Sequence, residues 1–525
     1  MGKYFLIVAF LGIEAAVLFN ILAPNPDNAS NLDALKTKYS KVAKKPADHS
    51  KFAELNKHFN NPTDVTRACI SCHNERDKQI MATNHWTWQK TEYMEGKGIV
   101  NYGKINAINN FCIAAKGNEG SCAKCHAGFG MGQPGFAFSD STRVDCIICH
   151  DNSETYMKGQ DMDGYPDPKV DLAKVAQSVG KPKRSNCGVC HFYGGGGNNV
   201  KHGDLEEALF EPNKELDVHM AVENMNLQCV DCHKTTDHKI KGNLYSVSSM
   251  DLNRLSCEEC HSATPHKEDI INEHTLKVAC QTCHIPTYAK ANATKLEWDW
   301  STAGDLRNGE PYEIDDKDGN HIYLSIKGSF KWGKNLKPDY VWFNGKANHY
   351  LMGEVISDTT HPVQINTLYG SYSDVNSKIT PVKIHLGNQP YDPINHILIT
   401  PKLYADKKGE GAYWQDFNWQ TASEVGMKDN NLPFSGKVGF IKTVAYWPVN
   451  HMVAPKEESV NCTECHTKSN SRLAGLGDFY MPARDHSSFI DTFGITLIAI
   501  VFGGSLIHGG ARIVYNSKKN KKEDK

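Results

Sequence analysis

The chain has 525 residues, with 58 basic against 60 acidic side chains, so no global basic field argues for nucleic acid and no acidic excess argues for a solvating tail. At 40% hydrophobic, 10% aromatic and 22% charged residues it reads as an ordered, packed chain, long enough for about three domains. Seventeen cysteines are too dilute for a small disulfide scaffold and too many for an ordinary cytosolic enzyme, so their spacing decides the class.

In chain order, the first element is an apolar run from Tyr4 to Ala23, preceded by Lys3, interrupted by Glu14 and closed by Pro24. Its length suits a signal-peptide core or a span of about 20 residues. No small-x-small cleavage site stands before Pro24, which favours an uncleaved anchor over residues 1–24, while Glu14 argues against a comfortable span.

Sixteen of the seventeen cysteines then fall into eight Cys-x-x-Cys pairs, each followed at once by His. They are Cys69/Cys72/His73, Cys122/Cys125/His126, Cys146/Cys149/His150, Cys187/Cys190/His191, Cys229/Cys232/His233, Cys257/Cys260/His261, Cys280/Cys283/His284 and Cys462/Cys465/His466, numbered here one to eight; Cys112 is left over. This is the attachment pattern of c-type haem, in which two thiols form thioethers and the adjacent His becomes the proximal iron ligand. Zinc ribbons share Cys-x-x-Cys but do not require the His, and a thioredoxin-like redox motif explains one pair and not eight. Eight covalent haems are expected, and since haem attachment takes place outside the cytoplasm, so is export.

The irregular spacing of the first seven motifs is no tandem repeat. Residues 30–290 are expected to form a haem-packed domain in which porphyrins replace side chains as core, with short helices and long loops. The cysteine-free stretch after it is rich in Trp, Tyr and Pro, and reads as part of a region, 291–485, that wraps the haem stack and carries the eighth motif. Alternating segments such as His321 to Ile326 suggest strands there. The fold class expected is mainly α and irregular, a multihaem cytochrome c with few strands and terminal transmembrane helices. Residues 489–515 read as one such helix, because Phe493 to Ile507 carries no charge, and the basic tail 516–525 follows it. Basic residues at both ends put both on the cytoplasmic side, with the haem-bearing middle facing the periplasm or cell exterior.

A low-spin electron-transfer haem needs a second strong axial ligand, whereas a haem that does chemistry leaves that position open or weakly filled. Spacing nominates seven distal histidines. His58 lies eleven residues before Cys69, His451 eleven before Cys462, His219 ten before Cys229 and His274 six before Cys280; His238 and His266 each follow a motif His by five, and His85 follows the first motif. One haem remains. Its candidate ligand lies in Phe192-Tyr-Gly-Gly-Gly-Gly-Asn-Asn-Val-Lys-His-Gly-Asp204, where the glycine run lets backbone approach a flat cofactor and delivers Lys201 and His202. A neutral lysine amine ligates iron only if its pKa is depressed, and a lone Lys on such a loop is otherwise a surface residue.

The motif order with its large gap, this glycine segment, Cys280-Gln-Thr-Cys-His-Ile-Pro286, Trp298-Asp-Trp-Ser-Thr-Ala-Gly304 and Trp447-Pro-Val-Asn-His-Met-Val-Ala-Pro455 together resemble the octahaem tetrathionate reductase family of c-type cytochromes. The resemblance spans about residues 50–485. It implies seven bis-His haems and one catalytic haem, the second along the chain, with Lys201 as its distal ligand and Cys112 as a thiol near the pocket. The family members are soluble and periplasmic, whereas this chain carries apolar terminal segments.

Reduction of small sulfur or nitrogen oxyanions is therefore the leading functional expectation: tetrathionate first, through attack of a Cys112 thiolate on the central S–S bond, with nitrite or hydroxylamine as rivals. The alternative is an electron conduit with no substrate of its own. His508, inside the C-terminal apolar run and following Gly503, Gly504 and Ser505, points either to docking on a quinol-oxidising or b-type cytochrome partner or to a residue that merely snorkels with Arg512.

Overall fold

The computed structural model describes residues 47–159, 162–242 and 248–523. The chain divides into two units, Met1–Asp48 and His49–Lys525. The apolar run expected over 1–24 lies outside the described residues.

In the second unit, single helical turns mark the haem motifs, among them Ile147–His150, Cys229–Cys232, Cys280–His284 and Cys462–Cys465. One turn is what the motif needs, since residues i and i+3 of a helix share a face and present both thiols together. The first motif ends a longer helix, Pro62–Cys72, which begins with proline where its missing N–H costs nothing. Between these turns run loops held by small apolar clusters, such as Leu55, Phe59, Val65, Ile147, Val175 and Ala176.

From residue 294 the architecture changes. A nine-stranded mixed sheet runs in the order Val363–Gln364, Gly439–Pro448, Lys378–Asp392, Thr294–Asp299, Gly328–Gly333, His321–Leu324 and Glu313–Asp315, with Asp339–Phe343 and Ile397–Leu398 also paired to Lys378–Asp392. The expectation of few strands is thereby corrected, because the Trp- and Tyr-rich stretch read as an irregular wrap supplies the alternating aromatic and β-branched residues that a half-buried sheet requires. The strand expected at His321 is present at His321–Leu324. Four two-stranded ribbons accompany the sheet among the described residues.

Lys378–Asp392 is the hub. It runs antiparallel to Gly439–Pro448, from Val382 opposite Pro448 to Tyr391 opposite Gly439, and parallel to Thr294–Asp299. Alternation buries Lys383, His385 and Gln389 on its inner face, while Leu386 faces out. Gly387 belongs to the inner row, and a Cβ there would collide with Thr443 Oγ1 on the neighbouring strand. The core beneath is aromatic: Trp298 stacks on Trp300 at 4.9 Å and Tyr413 on Trp419 at 3.8 Å, with Phe111, Val200 and Trp447 in the same cluster. The helix Ser488–Glu523 closes the chain; its stretch Ser488–Lys518 is long and apolar enough to cross a membrane, and side chains such as Phe493, Ile498, Phe502 and Ile507 are exposed along it.

Candidate haem and catalytic site

Seven of the eight motif histidines face a second imidazole. The pairs are His73 with His49, His150 with His238, His191 with His85, His233 with His451, His261 with His219, His284 with His266 and His466 with His274, at ring-centroid separations of 6.1–6.4 Å. Two metal–imidazole bonds of about 2 Å each, together with the two half-rings, span that gap, so the residues fit one iron between each pair. The Nδ1 atoms support the same reading. His150, His233, His274 and His466 meet the carbonyls of Gly180, Lys241, Ile270 and Pro482 through Nδ1 at 2.6–3.0 Å, which leaves Nε2 for the metal. His451 Nδ1 lies 3.2 Å from Asp204, whose carboxylate raises the imidazole pKa above its usual range although burial opposes the shift.

Six of the seven distal histidines expected from spacing occupy these pairs, but each faces a motif other than the one whose proximity in sequence suggested it. His451, next to motif eight, faces motif five, and His274, next to motif seven, faces motif eight. His58 is a correction: it is exposed, and the ring opposite His73 is His49, in a short turn at His49–Lys51. Sequence distance misled because a distal ligand must approach the porphyrin from the face opposite its Cys-x-x-Cys-His turn, which a neighbouring residue reaches poorly.

The motifs also touch one another. Thiol contacts join Cys69 to Cys146, Cys125 to Cys190, Cys187 to Cys229 and Cys257 to Cys280. Cys149 lies within electrostatic reach of Cys187, Cys232 of Cys260, and Cys283 of Cys465. Motifs one, three, four, five, six, seven and eight thus form a continuous series, and motif two branches from motif four.

Motif two is built differently. His126 stacks on Trp88 at 4.0 Å, and it has no second imidazole opposite among the described residues. Burial and the charge of Lys104 push its pKa well below the usual range. Its backbone carbonyl accepts from Lys158 Nζ, whose ammonium sits 3.4 Å from Asp145 in a pair with almost no exposure, and Tyr156 donates to the same carboxylate at 2.7 Å. Two further groups gather at the motif. Lys201 lies in electrostatic reach of Cys125, with Nζ 4.8 Å from the Trp447 ring, and burial first and Lys104 second push its pKa down to about 7. Cys112, half-buried, lies in electrostatic reach of Cys122, whose thiol burial first and Cys112 in lesser part push up to about 11. Ile113, the next residue, holds φ at 62°, which a β-branched residue rarely bears.

The sheet sets both loops. Lys383 Nζ donates to the carbonyls of Val200 and Lys201 at 2.8 and 3.1 Å and to Thr294 Oγ1 at 2.6 Å, so a buried lysine clamps the backbone that carries Lys201. Gly195 and Gly196 take φ of 83° and 96° in that loop, and a Cβ at Gly195 would press on Phe111 and Val200. Asn110 donates to the His385 carbonyl and accepts from Gln389 and Thr443, which ties the Cys112 loop to the same strand. Lys104, Lys158, Lys383 and His49 were not singled out from the sequence. A signal existed for Lys383, since it is a lysine at an inward position of an otherwise buried strand, but it is visible only once the face is known.

Residues 295–469 match a family model described as cytochrome c, bacterial, and residues 186–262 match that of cytochrome c554 and c-prime. An uncharacterised protein of Archaeoglobus fulgidus is 26% identical over 255 residues, 38% of this chain and 82% of that protein. The crystal structure of an octahaem cytochrome c from Shewanella oneidensis superposes with a TM-score of 0.77 at 42% identity, covering 84% of this chain and 98% of the other. Motif pattern, cytochrome models and near-complete coverage of that structure agree: this chain belongs to the octahaem tetrathionate reductase family of c-type cytochromes.

Proposed function

We propose that the chain binds eight covalent c-type haems and reduces small sulfur or nitrogen oxyanions, tetrathionate first, at the haem held by Cys122, Cys125 and His126. The observation that carries this reading is the exception at motif two: seven motif histidines face a second imidazole, whereas around His126 a lysine and a free cysteine gather instead. Haem, when bound, would supply one-electron transfer, and the seven paired imidazoles would hold it for that role. The series of neighbouring motifs leads to motif two through Cys125 and Cys190.

The chain's own residues then act as follows. Lys201, its backbone held by Lys383 and its pKa lowered by burial to about 7, would offer its amine as a ligand to the iron of the haem held there. The Cys112 thiolate attacks a central sulfur of tetrathionate; a Cys–S bond forms, the central S–S bond breaks, and one thiosulfate leaves with the electron pair. Two electrons cleave the resulting Cys112 persulfide-like bond, releasing the second thiosulfate and restoring the thiolate. Nitrite or hydroxylamine reduction would bypass Cys112.

The test is turnover of tetrathionate, nitrite and hydroxylamine by purified holoprotein with a chemical reductant. We expect Cys112→Ser to lower tetrathionate turnover by about 100-fold or more, as removal of a nucleophile does, and to spare nitrite. No turnover of any of the three, with eight identical bis-His signals by electron paramagnetic resonance, establishes instead a conduit without a substrate. The Ser488–Lys518 helix supports anchoring in the cytoplasmic membrane, with the haem-bearing part outside, and docking of the His508 face on a quinol-oxidising or b-type cytochrome partner. Quinol-linked reduction and membrane b-haem content that both survive His508→Leu would leave the helix only an anchor.

A further inference from the structure

The inner face of Lys378–Asp392 carries Lys383, His385 and Gln389, where a buried strand ordinarily places apolar side chains. Two of the three have structural duties. Lys383 holds the Lys201 loop, and Gln389 with Asn110 and Thr443 holds the Cys112 loop. His385, between them, is 0% exposed, and neither ring nitrogen meets a hydrogen-bonding group among the described residues. Its ring lies 4.7 Å from Phe111, the residue preceding Cys112. Buried polar groups are nearly always partnered, so an imidazole orphaned at both nitrogens against the loop that carries Cys112 calls for a ligand.

A second group points the same way. Lys295 is 6% exposed, and its Nζ lies 3.4, 4.3 and 4.8 Å from the ring centroids of Phe330, Trp298 and Trp332. The pairing between Gly328–Gly333 and Thr294–Asp299 is irregular at Trp332, which brings Lys295 to the face that Trp298 occupies. Glu297, its neighbour on the strand, is turned away to Lys331 at 2.6 Å, and no carboxylate meets Lys295 among the described residues. Aromatic faces hold the ammonium without neutralising it. Lys295 interacts electrostatically with both Cys112 and His385.

We propose that His385 and Lys295 form an oxyanion subsite beside Cys112 that takes the sulfonate oxygens of the substrate, His385 by hydrogen bond and Lys295 by charge. This rests on the reductase reading above and deepens it, because the sulfur that a thiolate attacks in tetrathionate is bonded to a sulfonate. Gripping the sulfonate therefore orients the bond that breaks. Burial pushes the pKa of Lys295 down to about 7 and that of His385 well below its usual range, and a bound anion would favour the protonated form of both.

The experiment uses the full, haem-loaded chain and reads Cys112 directly. Alkylation by anionic iodoacetate and by neutral iodoacetamide is followed by mass spectrometry in the wild type, Lys295→Met and His385→Gln, with and without thiosulfate as a protecting anion; the KM and kcat for tetrathionate are measured alongside. We expect each variant to lower the iodoacetate-to-iodoacetamide rate ratio and to weaken thiosulfate protection by about tenfold or more, the loss that one charge-assisted hydrogen bond implies. We also expect KM to rise more than kcat falls. A wild-type ratio no higher than that of free cysteine, or variants with the wild-type ratio and protection, would overturn the subsite. A wild type with a raised ratio and protection that reduces no sulfur oxyanion supports the subsite and removes the reductase reading. Tetrathionate turnover with unchanged KM in the variants does the reverse. If His385→Gln yields no holoprotein, the wild-type ratio and Lys295→Met decide.

Discussion

The motif-bearing segments and the nine-stranded sheet solve the burial problem in opposite ways. The sheet is a conventional core, with Trp298, Trp300, Tyr413 and Trp447 in one continuous cluster under its strands. The motif segments hold only small clusters of a few side chains, and their helices are often single turns. Those segments instead bring seven pairs of imidazoles together, each pair spaced for one iron. A region that builds its core from cofactors needs little apolar sequence of its own, but it depends on them for its fold. Motif two lies where the two regimes meet, with its cysteines in a motif turn and the loops of Lys201 and Cys112 pinned by a strand.

The largest effect expected follows from that dependence. Replacing Cys146 and Cys149 by Ser removes one haem from a junction where Cys69 touches Cys146, and the variant should fail to accumulate as folded holoprotein, as judged by haem content and protease resistance. By contrast, Trp298→Ala in the sheet should cost about 3–5 kcal/mol in a thermal or denaturant melt and keep all its haems. If the two variants behaved alike, the motif segments would depend on haem no more than the sheet does. Lys158→Met should cost about 3–5 kcal/mol, because it leaves Asp145 buried and uncompensated, and adding Asp145→Leu should recover much of it. Gly387→Ala should cost about 1–3 kcal/mol through its clash with Thr443.

Two smaller effects sharpen the picture at single sites. His49→Ala should convert one low-spin haem to a five-coordinate species in the visible spectrum, whereas His58→Ala should change nothing, since His49 faces His73 and His58 is exposed. Thiosulfate protection of Cys112 should weaken as pH rises through about 7, because Lys295, faced by Lys327, Cys112 and His385, loses there the proton that makes it a cation. The sign is set by the depressed pKa: the cationic form that attracts an anion is populated below it. Protection independent of pH between about 6 and 8 would remove Lys295 from the subsite.

Haem attachment was legible in the chain itself, because the chemistry requires two thiols and an imidazole within five consecutive residues, and a local covalent requirement leaves a local pattern. The apolar C-terminal helix was legible for a similar reason, since spanning length and absence of charge are properties of one continuous segment. Of the distal histidines, spacing nominated six that the structure brings opposite a motif His, yet it missed His49 and could not say which motif each would face, because the ring opposite a motif His is set by how the segments pack, with partners as near as His266 to His284 and as far as His451 to His233. The strand at His321 announced itself by alternation, but the sheet's extent did not, since long strands such as Lys378–Asp392 mix lysine, histidine, glutamine and proline with apolar residues. Only the tertiary structure decided that Lys383 clamps the Lys201 loop, that Asn110 ties down the Cys112 loop, that His385 packs on Phe111, and that Lys295 lies within electrostatic reach of Cys112. Those roles depend on which face of a strand is buried and on what packs against it, and neither is a property of any segment taken alone.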